Sequence, residues 1–256
     1  MSTSRANPEA RSADHQVTAA VVDRSQKAYA RFAGMMYFFT VFDFTGVAIV
    51  SRLTGNGTFL EAAHSIAAAE PLYRIALVCG VVGNLSTILQ AIALYVTLKP
   101  VNVNLAMTAL LFRLAESAIG AVVVALGFAT LQIYLDANSP TGFDRHQLGA
   151  LADLVSHTSA AATDISVISF SVGSTIFFYL FLRSAYIPRP LATWGLLGSL
   201  LCMFAFVASL LVPQSSDVLR GIGALPIGVA EPVVGLWLLT RGVDPERLQR
   251  LSYGHI

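Results

Sequence analysis

Five ionisable side chains, Asp43, Arg113, Glu116, Asp164 and Glu231, fall inside long runs of apolar residues. A charged group at the centre of a bilayer costs at least about 2.5–3.5 kcal/mol on insertion scales, so one that is kept there needs a partner or a task. Arg113 and Glu116 stand three residues apart on one helix face and can pair without tertiary help, which makes a structural ion pair the plainest reading of those two. Three acids, Asp43, Glu116 and Glu231, nevertheless face one guanidinium. Unpaired carboxylates in low dielectric take up a proton, find a cation or persist as neutral hydrogen-bonding acids. The leading reading is therefore a non-enzymatic protein whose polar cluster, Asp43, Arg113, Glu116 and Glu231, binds or conducts a proton, an ion or a small amphipathic ligand. Arg113 would hold the carboxylates electrostatically while Glu231 carries the exchangeable species. Glu231 precedes Pro232, with Pro226 and Gly228 just upstream, so a kink with freed backbone carbonyls is expected beside that carboxylate.

A second polar set lies within residues 146–175. If that stretch is one continuous helix, His146, His157, Asp164, Ser171 and Thr175 all fall within about 40° of Asp153. Solvation of a segment projecting beyond the bilayer produces such a stripe unaided. The sharper alternative is an intramembrane hydrolase acting on lipid, with Asp153, His157 and the deeper Asp164 as metal ligands or as general acid and base. No two-histidine helical zinc motif, phosphate-binding glycine loop, nucleophile elbow or paired-cysteine site accompanies them. The sequence leaves metal binding and any cofactor unassigned. A third reading, a structural or regulatory membrane subunit, lets every polar group serve packing.

Holding these groups requires a scaffold, and composition names its class. Of 256 residues, 55 % are apolar and 12 % charged, with a mean hydropathy of +0.66; an ordinary soluble domain is about 25 % charged. A formal charge of +1 leaves no basic field for nucleic acid. Six runs, 32–53, 72–98, 105–130, 160–182, 190–212 and 217–240, are long enough to cross about 30 Å of hydrocarbon. Six such runs would leave a soluble protein too little polar surface to wrap them. Short loops punctuated by Gly55-Asn56-Gly57, Lys99-Pro100, Ser139-Pro140-Thr141-Gly142, Ile187-Pro188 and Val212-Pro213 join them.

The expected fold is thus an all-α bundle of six transmembrane helices, residues 32–240, between a polar basic tail (1–31) and a short tail (241–256). Arg5, Arg11, Arg24, Lys27 and Arg31 in the first tail, Lys99, Arg183 and Arg189 in two loops, and Arg241, Arg247 and Arg250 in the last tail share one side. Arg52, Arg74, Arg145 and Arg220 fall on the other, so the positive-inside rule predicts that both termini are cytoplasmic. At 1.5 Å per residue, Asp43, Arg113, Glu116 and Glu231 then lie about 17, 12, 17 and 14 Å from the cytoplasmic boundary, in one layer near the midplane.

The run after residue 31 is too long for the apolar region of a cleavable signal, so the first span is expected to stay. Val17–Arg31 reads either as a basic helix on the anionic leaflet or as a solvated tail. Cys79 and Cys202, inside spans, read as packing residues, and Gly120 with Gly127, Gly195 with Gly198 and Gly228 with Gly235 read as helix-packing pairs. The Asn56-Gly57-Thr58 glycosylation pattern is too short to carry weight. The expected partners are the lipid bilayer and a small-molecule, lipid or ion ligand; nucleic acid is not expected, and oligomeric state is not encoded legibly.

Five strings resemble, in order and spacing, a family of bacterial six-helix membrane proteins classified as domain of unknown function 4386 (DUF4386). They are Ala30-Arg31-Phe32-Ala33-Gly34 with Tyr37, Tyr95 to Asn102, Phe112-Arg113-Leu114-Ala115-Glu116, Arg183 to Arg189, and Glu231 to Gly242 through Trp237-Leu238-Leu239. The resemblance covers roughly residues 28–243. It implies six spans in a bacterial cytoplasmic membrane and supplies no activity; the family's arginine, following glutamate and late glutamate land on Arg113, Glu116 and Glu231. The fourth span departs from the family pattern, having Ser171 and Phe178 where glycines are expected, so His157 receives no role from the resemblance.

Overall fold

A computed structural model describes residues 25–55, 57–138 and 143–243, and among them it contains helices and no strand. Six helices are long and apolar enough to cross a membrane: α1 (Ser25–Thr54), α3 (Glu70–Leu98), α4 (Val103–Asp136), α5 (Arg145–Ser184), α6 (Arg189–Leu211) and α7 (Ser216–Thr240). Each contains or closely overlaps one expected span. The stretch through residues 146–175 is indeed continuous helix, because Asp144 caps it with a capping box closed by Gln147.

Three expectations need correction. Residues 25–31, expected in a tail or an interfacial helix, are the start of α1; Gln26 and Ala30 are buried against the bundle, and that burial extends the helix. Between the first two spans a short helix, α2 (Phe59–Ala68), stands where only a loop was expected. Thr58 starts it by accepting from the Glu61 backbone amide, while the Glu61 carboxylate accepts from the Thr58 amide. Gly228 is not a packing glycine, since a β-carbon there would meet nothing within 4 Å. Of the remaining expectations, those concerning residues 1–24, Asn56, 139–142 and 244–256 fall outside the described residues.

Consecutive spans pack on one another from α3 through α7, and α1 packs along α3. The apolar core gathers Leu94 and Leu98 of α3, Phe177, Phe178 and Phe181 of α5, Ile227, Val234 and Leu238 of α7 and Cys202 of α6. Phe44, Leu197, Phe204, Leu211 and Leu225 are exposed, as a surface wetted by lipid rather than water requires. Cys79 and Cys202 are free and buried, as expected of packing residues. Phe178 lays its ring on Gly195 of α6, where any side chain would collide with it.

The first and last spans meet backbone to backbone. A β-carbon on Gly34 would lie 2.5 Å from the Leu239 nitrogen and 2.6 Å from the Gly235 carbonyl oxygen, and neither atom can rotate away. Gly34→Ala is therefore expected to destabilise the detergent-solubilised protein by about 1–3 kcal/mol, the usual cost of overpacking. Thermal unfolding checks this, with Gly228→Ala as the control that leaves stability unchanged or slightly raised, because alanine favours a helix where there is room for it.

One span is interrupted near its middle, and another runs unbroken through two prolines, without the expected break. In α1 the helix breaks at Thr40, whose hydroxyl turns back to donate to the Tyr37 carbonyl at 2.7 Å. In α7 Pro226 and Pro232 lie inside the helix and each removes a backbone donor.

Candidate functional site

Arg113 is the hub of the buried polar layer, with 2 % of its surface exposed. Its aliphatic arm lies across Gly173 of α5, where a β-carbon would sit 3.0 Å from Arg113 Cγ and 3.1 Å from the Ala109 carbonyl oxygen. Its guanidinium carbon stands 4.7 Å from the centroid of the Phe170 ring, a cation–π contact that desolvation strengthens. Nη2 donates to Gln90 Oε1 of α3 at 2.6 Å, and Nη1 lies 3.0 Å from Glu116 Oε2 on its own helix. Three helices thereby fix one guanidinium.

Glu116 is held on the same face, and the Ser166 hydroxyl of α5 donates to its backbone carbonyl at 3.0 Å. Glu231 comes from α7 between the two prolines, with Ser174 Oγ of α5 3.4 Å from its Oε1. Tyr37 of α1 is buried within electrostatic reach of Glu231, Arg113 and Glu116. Asp43, also on α1, is half-buried, and its carboxylate lies directly over the Cα of Gly83 in α3. The charges of Arg113, Glu231 and Asp43 all act on Glu116. Glu116 thus feels charges from α1, α4 and α7, while among the described residues no hydrogen bond or ion pair joins Asp43 or Glu231 to the Arg113–Glu116 pair.

The layer is incompletely satisfied. Among the described residues, Arg113 Nε and Nη1, Glu116 Oε2, Gln90 Nε2 and Ser117 Oγ are buried without a hydrogen-bond partner. The Arg113–Glu116 contact is close enough to be an ion pair but is not aligned as a hydrogen bond. Buried polar atoms are almost always paired, and a clustered exception marks a place where water, an ion or a ligand belongs.

The second expected set does not assemble. Asp153, His157 and His146 are exposed, and His157 Nδ1 lies 2.7 Å from the backbone oxygen of Asp153, turned onto its own helix. Asp164, buried to 2 % exposure, is engaged elsewhere: Arg220 Nε donates to Oδ1 and Nη2 to Oδ2, both at 2.8 Å. Ser209 Oγ of α6 lies 3.3 Å from Oδ2, and Arg220 Nη1 reaches the exposed Asp217 at 3.4 Å. Among the described residues no three His, Cys, Asp or Glu side chains converge as metal ligands.

Sequence reasoning missed Gln90, Phe170, Ser174 and the pairing of Arg220. Gln90 carried a readable signal as one of two amides, with Asn84, in the middle of an apolar run. Arg220 was counted only as a loop cation, and nothing local in the sequence ties it to Asp164.

Six apolar helices with a polar layer buried among them define a multi-pass, α-helical membrane protein. The chain belongs to the family described as domain of unknown function (DUF4386), which matches residues 32–242. No curated protein and no solved structure matches it.

Proposed function

We propose that the layer formed by Asp43, Arg113, Glu116 and Glu231 is a binding site for an exchangeable cation, the proton being the smallest, in a bacterial cytoplasmic membrane with both termini on the cytoplasmic side. The observation that carries this reading is a charge count. Three partly buried carboxylates accompany a single buried guanidinium, and the Glu116 oxygen nearest that guanidinium lacks a hydrogen bond. A charge surplus of that kind in low dielectric is relieved by an added cation. The break at Thr40 supports it, since broken helices at mid-membrane are a recurrent way to build an ion site, and Pro226 and Pro232 each free a backbone carbonyl near Glu231. The orientation is supported by the distribution of Lys and Arg.

Proteoliposomes holding an imposed pH, sodium or potassium difference test the proposal. Wild-type protein is expected to dissipate one of these gradients, and the double variant Glu116→Gln, Glu231→Gln is expected to fall to the rate of protein-free vesicles while keeping its helical spectrum. A folded double variant that still dissipates the gradient overturns the reading.

A further inference from the structure

Helices α3 and α4 run antiparallel in a register fixed at several levels. Leu77 lies against Gly127, Gly80 against Val124 and Asn84 against Gly120, and Gln90 Oε1 accepts from Arg113 Nη2 at 2.6 Å. The seam between the two helices is thus apolar at one end and polar toward the other. The same register sets Thr87 of α3 opposite Ser117 of α4.

The polar stretch holds a group of unpartnered atoms. Gln90, Arg113 and Ser117 are each more than nine-tenths buried, yet among the described residues Gln90 Nε2, Arg113 Nε and Nη1 and Ser117 Oγ make no hydrogen bond. Neither does Glu116 Oε2, although it lies 3.0 Å from Nη1. Arg113, Glu116 and Ser117 share one face of α4, and Gln90 meets that face through its bond to Nη2. Ser86, Thr97, Ser171 and Ser199 satisfy their buried hydroxyls by donating to the carbonyl one turn back, at 2.7–2.8 Å, and Ser117 does not.

We infer that this stretch of the α3–α4 seam is a site for ordered internal water, held by Gln90, Arg113, Glu116 and Ser117. The mixture of donors and acceptor selects the ligand. An anion would suit the N–H groups but would face the Glu116 carboxylate, and a metal cation would suit the carboxylate but would stand against the permanent charge of Arg113. Water accepts from nitrogen and donates to a carboxylate oxygen at the same time. Three unpartnered nitrogen atoms exceed the lone pairs of a single molecule, so about two waters are required.

The packing around the site also favours a small ligand. A β-carbon on Gly120 would collide with Asn84 Oδ1, and one on Gly173 would lie 3.0 Å from Arg113 Cγ, while the Phe170 ring stands 4.7 Å from the guanidinium carbon. A larger polar molecule would have to part these helices. Water belongs in the seam whether or not the layer also takes a cation. Where it does, the water supplies oxygen ligands that the side chains lack, since among the described residues no three His, Cys, Asp or Glu side chains converge.

Solid-state NMR of the full chain in perdeuterated lipid tests the site, by magnetisation transfer from water protons to side-chain nitrogen. Transfer is expected at Arg113 Nε and Gln90 Nε2, and none at the backbone amide of Ala106, fully buried two turns away on α4. Ser117→Val puts methyl groups in place of the hydroxyl and is expected to bring transfer at Arg113 Nε down to the level of Ala106. Should that variant fail to fold, Ser117→Ala, which adds no bulk, is expected to weaken the transfer. Wild-type protein without transfer at either nitrogen overturns the inference. Transfer unchanged in both serine variants overturns the placement of the water in this seam. An Arg113 Nε resonance that moves when chloride is replaced by sulfate marks an anion there and overturns the choice of water. Each outcome is read without ion flux, so the cation reading stands or falls separately.

Discussion

Arg113→Ala is expected to destabilise the protein by about 3–5 kcal/mol, the cost of leaving one member of a buried ion pair without its partner. The loss has several components that can be separated. Truncation removes the bond to Gln90, the contact with Phe170 and the packing of the arm on Gly173, and it leaves Glu116 without its counter-charge. Arg113→Met keeps most of the arm and loses only the charge, so it isolates the electrostatic part. Combining it with Glu116→Gln removes both charges of the pair, and near-neutral replacement of such pairs is the common result.

The layer contains two further acids, and they make the double variant informative. If Glu231 and Asp43 hold protons, the double variant returns close to wild-type stability. If they are ionised, the guanidinium among them is gone and much of the penalty remains. The sign with pH follows directly: removal of the arginine hurts most at high pH, where the acids are charged, and least at low pH, where protons take over its role. Thermal unfolding of the four proteins in detergent at two pH values checks this, and a penalty that grows as pH falls would contradict it.

The six spans were legible because lipid imposes a severe local rule. A helix crossing hydrocarbon must be apolar for about 20 residues, and each of the six runs obeys it without reference to the rest of the chain. Arg113 and Glu116 were legible for a similar reason, since three residues on one helix bring two side chains together whatever surrounds them. The grouping of Asp43 and Glu231 with that pair could be anticipated only as a shared depth; their common neighbourhood depends on α1 and α7 meeting through Gly34 and Gly235.

What was not legible is lateral. Gln90, Phe170 and Ser174 reach the layer because α3 and α5 flank α4, a matter of packing order that periodicity does not encode. The helix α2 escaped a reading tuned to runs of about 20 residues, although Thr58 and Glu61 spelled its capping box. The stripe on α5 misled in a more instructive way. Its phase was right, but one end is exposed and the other buried, so residues that share a helix face do not share an environment.

Arg220 shows what that difference does to energetics, because the pair it forms with Asp164 is buried on one side only. The Asp164 carboxylate is 2 % exposed whereas the Arg220 side chain is 32 % exposed, and Asp217 offers Arg220 a second, solvated partner. Removing either residue therefore leaves very different remainders. Arg220→Ala strands a buried carboxylate with the Ser209 hydroxyl as its nearest polar contact and is expected to cost about 3–5 kcal/mol. Asp164→Asn leaves a neutral amide still able to accept from Arg220, and a guanidinium free to turn toward Asp217 and water, so about 1–3 kcal/mol is expected. Arg220→Lys falls between, because an ammonium cannot match both carboxylate oxygens as the guanidinium fork does. Unfolding midpoints of the three variants in one detergent test the order, and equal losses for Arg220→Ala and Asp164→Asn would mean that the contact is a surface ion pair after all. The predicted order also separates this pair from the proposed cation site: Asp164 has its full counter-charge already, so its charge clamps α5 to α7, whereas Asp43, Glu116 and Glu231 outnumber the one guanidinium among them.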